Sequence, residues 1–294
     1  MKKASVTLNK NGISFQLQGV HNFDWLDKLG NVFCVFDKQD SGNISFGVEK
    51  DEKKIFVKYA GALPVNFSGK PREAIAQLKN SVQIYKDLKH PHLININNYF
   101  SVENGYAVVF DWFDGENLHP HWAFPPPLKY THLDSPFFRF KKLPIKSRLR
   151  SLDSIYSFHE HIESKGYVAV DFYDGSILYD FVNNVTKICD IDFYRKKPTL
   201  NDMGEQFWGS SRFKSPEEFK YGAPIDEKTN VYTMGAVAFC LLGSELERTF
   251  LKWEASEELY KVALRAVDNE RINRYSSISE FYAVWKKALA EIRG

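Results

Sequence analysis

The sequence predicts an α+β fold with a small antiparallel-β N-terminal lobe that carries one helix and a larger, mainly α-helical C-terminal lobe. Short apolar or alternating runs separated by turn clusters fill roughly the first 110 residues. A stretch rich in proline and aromatic residues then interrupts the pattern, and the rest is mostly helical in character with one hairpin at 176–192. We predict an N-terminal extension (1–24), an N-lobe (25–114) and a C-lobe (115–294) with an insertion (119–144).

The N-terminal strands are predicted from short apolar or alternating runs. Three of them, NVFCVFD (31–37), ISFGVEKD (44–51) and KIFVKYAG (54–61), are separated by the turn clusters KQDSGN and EKK. Two more strands lie in HPHLININNYFSVENGYAVVFDWF (90–113), where ENG marks the turn. The stretch PREAIAQLKNSVQIYKDLKH (71–90) has apolar residues at helical spacing and a proline at its start, so it predicts a helix.

After Pro144 the character of the chain changes to helical. The segment IKSRLRSLDSIYSFHEHIES (145–164) is amphipathic and is followed by Gly166, a residue that favours a helix end. The run VYTMGAVAFCLLG (231–243) is apolar almost throughout but shorter than the roughly 18 residues of a membrane span. It therefore predicts a buried helix.

Composition argues against several classes of protein. A net charge of +2 over 294 residues gives no reason to expect a nucleic-acid partner. The start of the chain lacks a signal-peptide pattern and no run is long enough to span a membrane, so we expect a cytoplasmic protein without a membrane partner. Cys34, Cys189 and Cys240 lie far apart in apolar runs, which indicates a reducing compartment without disulfides. His159 and His161 do not share a helix face, and no histidine is assigned to a metal.

Four polar side chains stand out against their apolar surroundings. Asp171 interrupts the run GYVAVDFYDGSILYD (166–180), where a carboxylate is costly unless it is hydrogen-bonded or functional. Taken alone it is more often a turn residue. Lys58 lies in mid-strand, where a lysine can also serve as an edge-strand charge. Asp190 and Asp192 follow a predicted strand at i and i+2, which places them on the same side of an extended chain, as around a cation, or else towards solvent.

The order of these side chains and of the motifs around them is more informative than any one of them alone. KICDIDFYR (187–195) aligns without gaps on the pattern KICDFGLAR, and GSSRFKSPEE (209–218) on GTxxYMAPEE. VAVDFYDGSILYD (168–180) aligns on IHRDLKPENILYD, LKHPHLI (88–94) on the turn after a C-helix, and TNVYTMGAVAF (229–239) on a DVYSLG helix. With these motifs the chain resembles the protein kinase superfamily, specifically the eukaryotic-like serine/threonine kinases, over about residues 25–285.

The resemblance implies a role for each polar side chain. Asp171 would accept or orient the proton of the attacking hydroxyl, and Lys58 would hold the inner phosphates of ATP. Asp190 would hold Mg²⁺, with Asp192 as an added carboxylate. Ser176 stands where the family has an asparagine that serves as a second Mg²⁺ ligand. A shifted alignment would make Asp192 the main ligand, but the gapless match extends to Arg195 and favours Asp190.

The resemblance also implies a nucleotide site in the N-lobe and one structural ion pair. Phe110 would form the back of the adenine pocket, and the segment after it, which includes Asp111 and Phe113, would be the hinge. Gly42, Asn43 and Gly47 would form a loop whose backbone amides cradle phosphates, although the spacing is not GxGxxG. In the C-lobe, Glu217 would pair with Arg274.

Several positions depart from the family pattern. The C-helix glutamate is replaced by Ser81, and Gln77, or Glu73, could substitute if the helix shifts. Ala169 and Val170 replace the His-Arg before the catalytic aspartate, so we expect no activation by phosphorylation of the segment between Asp190 and Glu217. Tyr173 replaces a lysine near the transferred phosphoryl group.

These features predict an ATP- and Mg²⁺-dependent phosphotransferase that acts on a Ser or Thr hydroxyl of a protein or peptide bound in a C-lobe groove. One alternative is a pseudokinase that regulates a partner. A weaker alternative is a small-molecule kinase, against which the APE-like segment GSSRFKSPEE (209–218) argues. The sequence indicates no oligomeric state.

Overall fold

The alternating runs near the N-terminus fold as strands around one long helix. The computed structural model describes residues 5–291. The first elements are β1 (Val6–Lys10), β2 (Ile13–Leu17), β3 (Asn31–Phe36), β4 (Asn43–Lys50), β5 (Lys53–Ala60), α1 (Pro71–Asp87), β6 (Ile96–Val102) and β7 (Gly105–Asp111).

Strands β3 to β7 form one antiparallel sheet in the order β3-β4-β5-β7-β6. The two-residue period of a strand sends alternate side chains into the core, and Phe46, Val48 and Val57 are fully buried there. Helix α1 starts with Pro71 in its first turn and buries one stripe of side chains. That stripe comprises Ala74, Leu78, Ser81, Val82 and Tyr85.

The N-terminal extension contributes a strand pair to this core. Strands β1 and β2 form a hairpin in which Val6 lies opposite Leu17. Phe15 and Leu17 from the hairpin are buried with Phe23 and Phe46 in one apolar cluster. Burying an aromatic side chain of this size stabilises a fold by roughly 1.5–3 kcal/mol, so the hairpin is part of the core.

The second half of the chain consists mainly of helices with short strand pairs between them. Its elements are β8 (Glu116–Asn117), α2 (Leu128–Thr131), α3 (Pro136–Lys141), α4 (Ile145–Ser164), β9 (Tyr167–Val168), β10 (Ile177–Asp180), β11 (Val185–Ile188), β12 (Arg195–Lys196), β13 (Thr199–Leu200), β14 (Pro224–Ile225), α5 (Glu227–Leu242), α6 (Glu257–Ala266) and α7 (Ile278–Glu291). Strand β10 lies between β11 and β8, β9 pairs with β12, and β13 pairs with β14.

Helix α5 is the buried helix that the apolar run predicts. Asp226 caps its N-terminus by accepting a hydrogen bond from the backbone N–H of Lys228 at 2.9 Å. A Cβ atom on Gly235 would lie 2.7 Å from Cβ of Ala266 and 2.8 Å from Cγ1 of Val267, so glycine permits a close crossing with the end of α6. Within residues 5–291, the length and apolar character needed to cross a bilayer are found in no helix.

The Pro- and aromatic-rich insertion is folded and packed. It forms the short helices α2 and α3, and Ser135 links them by donating from Oγ to the carbonyl of Lys129 at 2.7 Å. Phe140 of α3 is fully buried, with its ring centroid 5.0 Å from that of Tyr179 in β10. The insertion is therefore anchored by apolar contacts within the helical part.

The chain divides into two compact units. One consists of residues up to Lys89 together with Ile94–Asp114, and the other of His90–Leu93 together with the chain from Gly115 onwards. The first holds the five-stranded sheet and α1, and the second holds the other helices. The predicted fold class, a two-lobed α+β fold of the protein-kinase type, is confirmed.

Candidate functional site

Lys58 lies on the central strand of the sheet. In β5 it is opposite Ser45 of β4 and Val108 of β7. Its neighbours Val57 and Tyr59 are buried, while Lys58 itself is half-buried. Because β5 has a strand on each side, the interpretation of Lys58 as an edge-strand charge is wrong.

Close packing within the smaller unit requires glycine at Gly42 and Gly47 of the predicted phosphate loop. Gly42 has φ +85°, and a Cβ there would lie 2.7 Å from the ring of Phe67 and 2.8 Å from Cβ of Ala74. A Cβ on Gly47 would lie 2.5 Å from Sγ of Cys34. Asn43 is buried, and its amide nitrogen donates to Oγ of Ser41 at 3.3 Å. Apolar packing by itself accounts for both glycines, and phosphate binding by this turn stays a prediction.

The predicted adenine-binding segment continues the sheet. Phe110 is buried in β7, and its ring centroid lies 5.0 Å from that of Tyr85 in α1. Asp111 is exposed, accepts a hydrogen bond from the side chain of Asn97 at 2.6 Å, and donates its backbone N–H to the carbonyl of Asn95 at 3.0 Å. Phe113 follows the strand and is half-buried.

Helix α1 carries Ser81 at the position that corresponds to the C-helix glutamate of the family. Ser81 is fully buried, and its hydroxyl donates to the carbonyl of Leu78 in the same helix at 2.9 Å. Glu73 is exposed and lies 3.7 Å from the ammonium group of Lys70. Gln77 is half-buried, one turn from Ser81. Because Glu73 is exposed and lies beside Lys70, we favour Gln77 as the substitute, and its role stays a prediction.

The predicted catalytic residue Asp171 and the predicted metal ligand Asp190 share an unusual backbone conformation. Among residues 5–291, seven non-glycine residues have positive φ, and five of these lie in hairpin turns. The other two are Asp171 (φ 65°) and Asp190 (φ 54°). Such a backbone conformation costs free energy for residues with a Cβ. It persists where contacts with the surrounding structure hold it in place, often at functional sites.

The loop that begins at Asp171 is anchored by two residues that the sequence did not single out for this purpose. Asn230 of α5 accepts from the backbone N–H of Ala169 at 2.9 Å. The ring of His159 in α4 lies 4.3 Å, centroid to centroid, from that of Phe172. His159 also bonds through Nε2 to the hydroxyl of Tyr194 at 2.9 Å. Asn230 stands where the family motif has aspartate, a signal that could have identified it.

The APE-like segment places a cation near Asp171. Asp171 and Lys214 line the same small cavity, together with Gly209, Ser210 and Glu218 among others. The ammonium group of Lys214 donates to the carbonyl of Phe207 at 2.8 Å. Burial lowers the pKa of Lys214, and the negative charges of Glu218 and Asp171 oppose that shift. Lys214 thus supplies a positive charge near Asp171.

The predicted metal ligands of the larger unit flank two paired strands, with Ser176 just before β10 and Asp190 and Asp192 just after β11. The backbone N–H of Cys189 donates to the carbonyl of Ser176 at 2.9 Å, so Ser176 lies beside the start of the Asp190 segment. The hydroxyl of Ser176 is buried without a hydrogen-bond partner among the described residues. The prediction that Asp190 and Asp192 lie on one side of an extended chain is wrong, because Asp190 has left-handed backbone. Asp190 is exposed and Asp192 is 2% exposed.

The predicted ion pair between Glu217 and Arg274 is confirmed. Arg274 donates from Nη1 and Nη2 to the two carboxylate oxygens of Glu217 at 2.7 and 3.0 Å, and both side chains are buried. Arg271 and Thr229 add further hydrogen bonds to the same carboxylate. Burial alone would raise the pKa of Glu217, but the hydrogen bonds and charge of Arg274 hold it below its ordinary value.

The structure therefore distributes the predicted site residues over both units. The smaller unit holds Lys58, Gly42, Asn43, Gly47, Gln77, Phe110, Asp111 and Phe113. The larger unit holds Asp171, Ser176, Asp190 and Asp192. Within the larger unit, the backbone hydrogen bond between Ser176 and Cys189 joins the segments that carry the proposed metal ligands.

Comparison with known proteins finds a distant similarity to a protein kinase. The chain is 22% identical over 202 residues to the serine/threonine-protein kinase nekl-2 of Caenorhabditis elegans, a match that covers 69% of this chain and 52% of that protein. The chain thus spans about half the length of this relative. No protein-family model matches the chain. The similarity supports a distant, protein-kinase-like relationship.

Proposed function

We propose that this protein is an ATP-dependent phosphotransferase that moves the γ-phosphoryl group to a Ser or Thr hydroxyl of a protein substrate. The observation that carries the proposal is the left-handed backbone of Asp171 and Asp190, the two positive-φ residues outside hairpin turns in the described chain. The chain tolerates this cost at the two positions that the family resemblance assigns to proton transfer and metal binding. The distant similarity to a serine/threonine-protein kinase points the same way.

Asp171 is the proposed acceptor of the substrate proton. In the reaction, the hydroxyl oxygen forms a bond to the γ-phosphorus, the bond from that phosphorus to the bridging oxygen breaks, and ADP leaves with the electron pair. The hydroxyl proton passes to the carboxylate of Asp171. Lys214 lines the same small cavity and supplies a positive charge near this carboxylate.

The oxygen atoms near the end of β11 suit Mg²⁺. Asp190 and Asp192 offer carboxylates, and Ser176 offers a buried hydroxyl without a partner among the described residues. Hard oxygen donors of this kind are what Mg²⁺ prefers, so these three residues are the proposed ligands, with Asp190 as the main one. When bound, the ion neutralises phosphate charge.

The smaller unit is the proposed nucleotide-binding part. Lys58 would contact the inner phosphates of ATP, and the half-buried Gln77 would stand in for the C-helix glutamate. Phe110 would close the back of the adenine pocket, with hydrogen bonds from the backbone at Asp111 and Phe113. The turn with Gly42, Asn43 and Gly47 would cover the phosphates.

Intact mass measured after incubation with ATP and Mg²⁺, with and without a generic protein substrate, tests the proposal. We expect added phosphate on the parent chain or the substrate, and loss of the signal in Asp171→Asn and Lys58→Met. Asp134→Asn and Lys53→Met change exposed residues of the same types and serve as matched controls. Equal transfer by Asp171→Asn and its control would contradict the role of Asp171.

A pseudokinase is the second candidate, and one observation favours it. Ser81 is bonded within its own helix and Glu73 lies beside Lys70, so the pattern that orients Lys58 in the family is altered. Thermal stabilisation by ATP and Mg²⁺ without phosphate transfer to any substrate would favour this candidate.

A small-molecule kinase stays the weaker alternative. A cavity of about 430 Å³ opens beside the insertion, with Lys141, Lys142, Glu245 and Glu254 among its lining residues. Two lysines and two glutamates give this cavity no net negative charge, so it offers little attraction to a small cationic substrate.

A further inference from the structure

A buried cluster of four charges includes one residue of the loop 171–176, called here the Asp171 loop. The ammonium group of Lys129 lies 2.5 Å from Oδ2 of Asp174 and also contacts the carboxylate of Glu245. The guanidinium group of Arg212 donates to Oδ1 and Oδ2 of Asp174 at 2.9 and 3.3 Å and also bonds to Glu245. The side chains of Lys129 and Asp174 are fully buried, and that of Arg212 is 16% exposed.

The cluster is balanced in charge. Lys129 and Arg212 each contact both Asp174 and Glu245, so every charged group of the cluster has partners of opposite sign. Burial lowers the pKa of the adjacent His119 to about 4 and raises that of the Cys240 thiol, so both are neutral near pH 7. Two cations therefore face two anions, and the loss of any one leaves an uncompensated buried charge.

The four charges come from four separate segments. Lys129 lies in α2 of the insertion and Arg212 in the APE-like segment. Asp174 lies 45 residues from Lys129 in sequence, between Asp171 and Ser176, and Glu245 lies 116 residues from Lys129, just after α5. The cluster therefore ties the insertion, the Asp171 loop, the APE-like segment and the end of α5 together.

An ammonium group, not a metal, occupies the centre of the cluster. Asp174, Cys240 and Glu245 have ligand atoms within 4.8 Å of one another, the spacing of a metal site. Lys129, however, reaches both carboxylates, and Arg212 bonds to both as well. Their charges are thus already neutralised by side chains of the chain itself.

We propose that Lys129 and Arg212 are positioning residues that hold the Asp171 loop and the APE-like segment in one arrangement without a phosphorylated residue. The proposal rests on the proposed phosphotransferase function and adds the residues that orient its site. Asp174 is three residues from Asp171 and two from Ser176, so its fixation limits the movement of both. Asn117 supports the same loop by donating to the carbonyl of Gly175 at 2.5 Å.

This fixation has a kinetic consequence. Asp174 has no proposed contact with substrate, so the cluster acts on catalysis through the placement of Asp171. A displacement of about 1 Å in a catalytic group can reduce a rate about 10²-fold. The proposed nucleotide contacts, such as Lys58 and Phe110, belong to the other unit. Of the proposed metal ligands only Ser176 lies in the Asp171 loop, so loss of the cluster should lower kcat far more than it raises the KM for ATP.

The experiment compares Lys129→Met with the double variant Lys129→Met/Glu245→Gln. The single variant leaves one buried negative charge in excess, and the double variant restores the balance. Lys142→Met, which changes an exposed lysine of the same insertion, is the matched control. Arg212→Lys, which keeps the charge but removes the planar fork, provides a second test if Lys129→Met does not fold.

Two readouts are measured on each full-length variant. Hydrogen exchange followed by mass spectrometry reports on residues 171–176 and 209–215, and steady-state kinetics give kcat and the KM for ATP. For Lys129→Met we expect faster exchange confined to these two segments and a fall in kcat of about 10²-fold with KM within about two-fold. The double variant should recover most of both losses.

Several outcomes would overturn the proposal. One is hydrogen exchange in Lys129→Met that is no faster than in Lys142→Met. If Lys129→Met does not fold, the same comparison is made with Arg212→Lys. A KM that changes as much as kcat, or a stoichiometric transition metal in the purified parent, would also do so. If the parent transfers no phosphate, the proposed function fails, and the exchange measurement still decides whether the cluster holds the two segments.

Discussion

The two units hold their candidate functional segments by different means. In the smaller unit, the turn around Gly42 is held by apolar packing against Phe67 and Ala74. In the larger unit, the Asp171 loop and the APE-like segment are held by buried charges, centred on Asp174 and Glu217. Apolar packing tolerates small adjustments at modest cost, whereas a buried charge that loses its partner is heavily penalised. The larger unit should therefore be the more sensitive to single substitutions.

The strongest test of this difference is Arg274→Ala. It removes the bidentate partner of the buried carboxylate of Glu217, so we expect a loss of about 3–5 kcal/mol in the free energy of unfolding. Urea denaturation measures it. Lys261→Ala breaks an exposed pair with Glu257 and should leave the free energy of unfolding nearly unchanged. A loss for Arg274→Ala as small as that of this control would contradict the role assigned to buried charge.

Gly42→Ala tests the turn of the smaller unit that is held by apolar packing. The new Cβ would meet Phe67 and Ala74 in a backbone region that disfavours side chains, so we expect a loss of about 2–4 kcal/mol in stability. Gly166 also has positive φ, but a Cβ there meets no atom within 4 Å. Gly166→Ala should therefore cost only about 1–2 kcal/mol. Thermal or urea denaturation of both variants checks the difference, and equal losses would show that packing at Gly42 is loose.

His159 gives a pH-dependent test within the larger unit. Burial lowers the pKa of His159 from 6.5 to about 3 in the folded chain. The unfolded chain therefore binds a proton first as the pH falls, and this contribution to stability is complete above about pH 6.5 and decreases towards pH 3. Between pH 6.5 and 5 the loss amounts to about 2 kcal/mol.

The measurement is the free energy of unfolding of the parent and of His159→Asn at both pH values. The variant should be less stable at pH 6.5 and should show a pH dependence weaker by about 2 kcal/mol. His132→Asn, at an exposed histidine, is the control and should retain the parent's pH dependence. An unchanged pH dependence in His159→Asn would show that His159 is not a buried neutral group.

The smallest expected effect concerns Ser211, an exposed serine in the APE-like segment. Val170 stands where the family has the arginine that binds a phosphate on this segment, and Arg212 is already paired with Asp174 and Glu245. Ser211→Ala and Ser211→Asp should therefore keep phosphotransfer within about two-fold of the parent, in the same mass assay. A gain of activity in Ser211→Asp would show that the segment still requires a negative charge.

The sequence predicted most elements because their signals are local. The β-strand runs, the helix from Pro71, the apolar helix α5 and the pair of Glu217 with Arg274 all appear in the structure. The weakest prediction concerned the aspartates after β11, where a two-residue spacing suggested an extended chain. The left-handed backbone at Asp190 removes that regularity, and a spacing rule holds only while the strand continues.

The sequence by itself determined the order of the motifs, the strand and helix periods and the presence of Lys58, Asp171 and Asp190, because each depends on neighbouring residues. Only the tertiary structure decided that Lys129 pairs with Asp174 and Glu245, 45 and 116 residues away. It also decided that Asp192 is buried while Asp190 is exposed. Burial and the choice of ionic partner arise from chain segments that meet only on folding, and the charges must then balance within a space that excludes water.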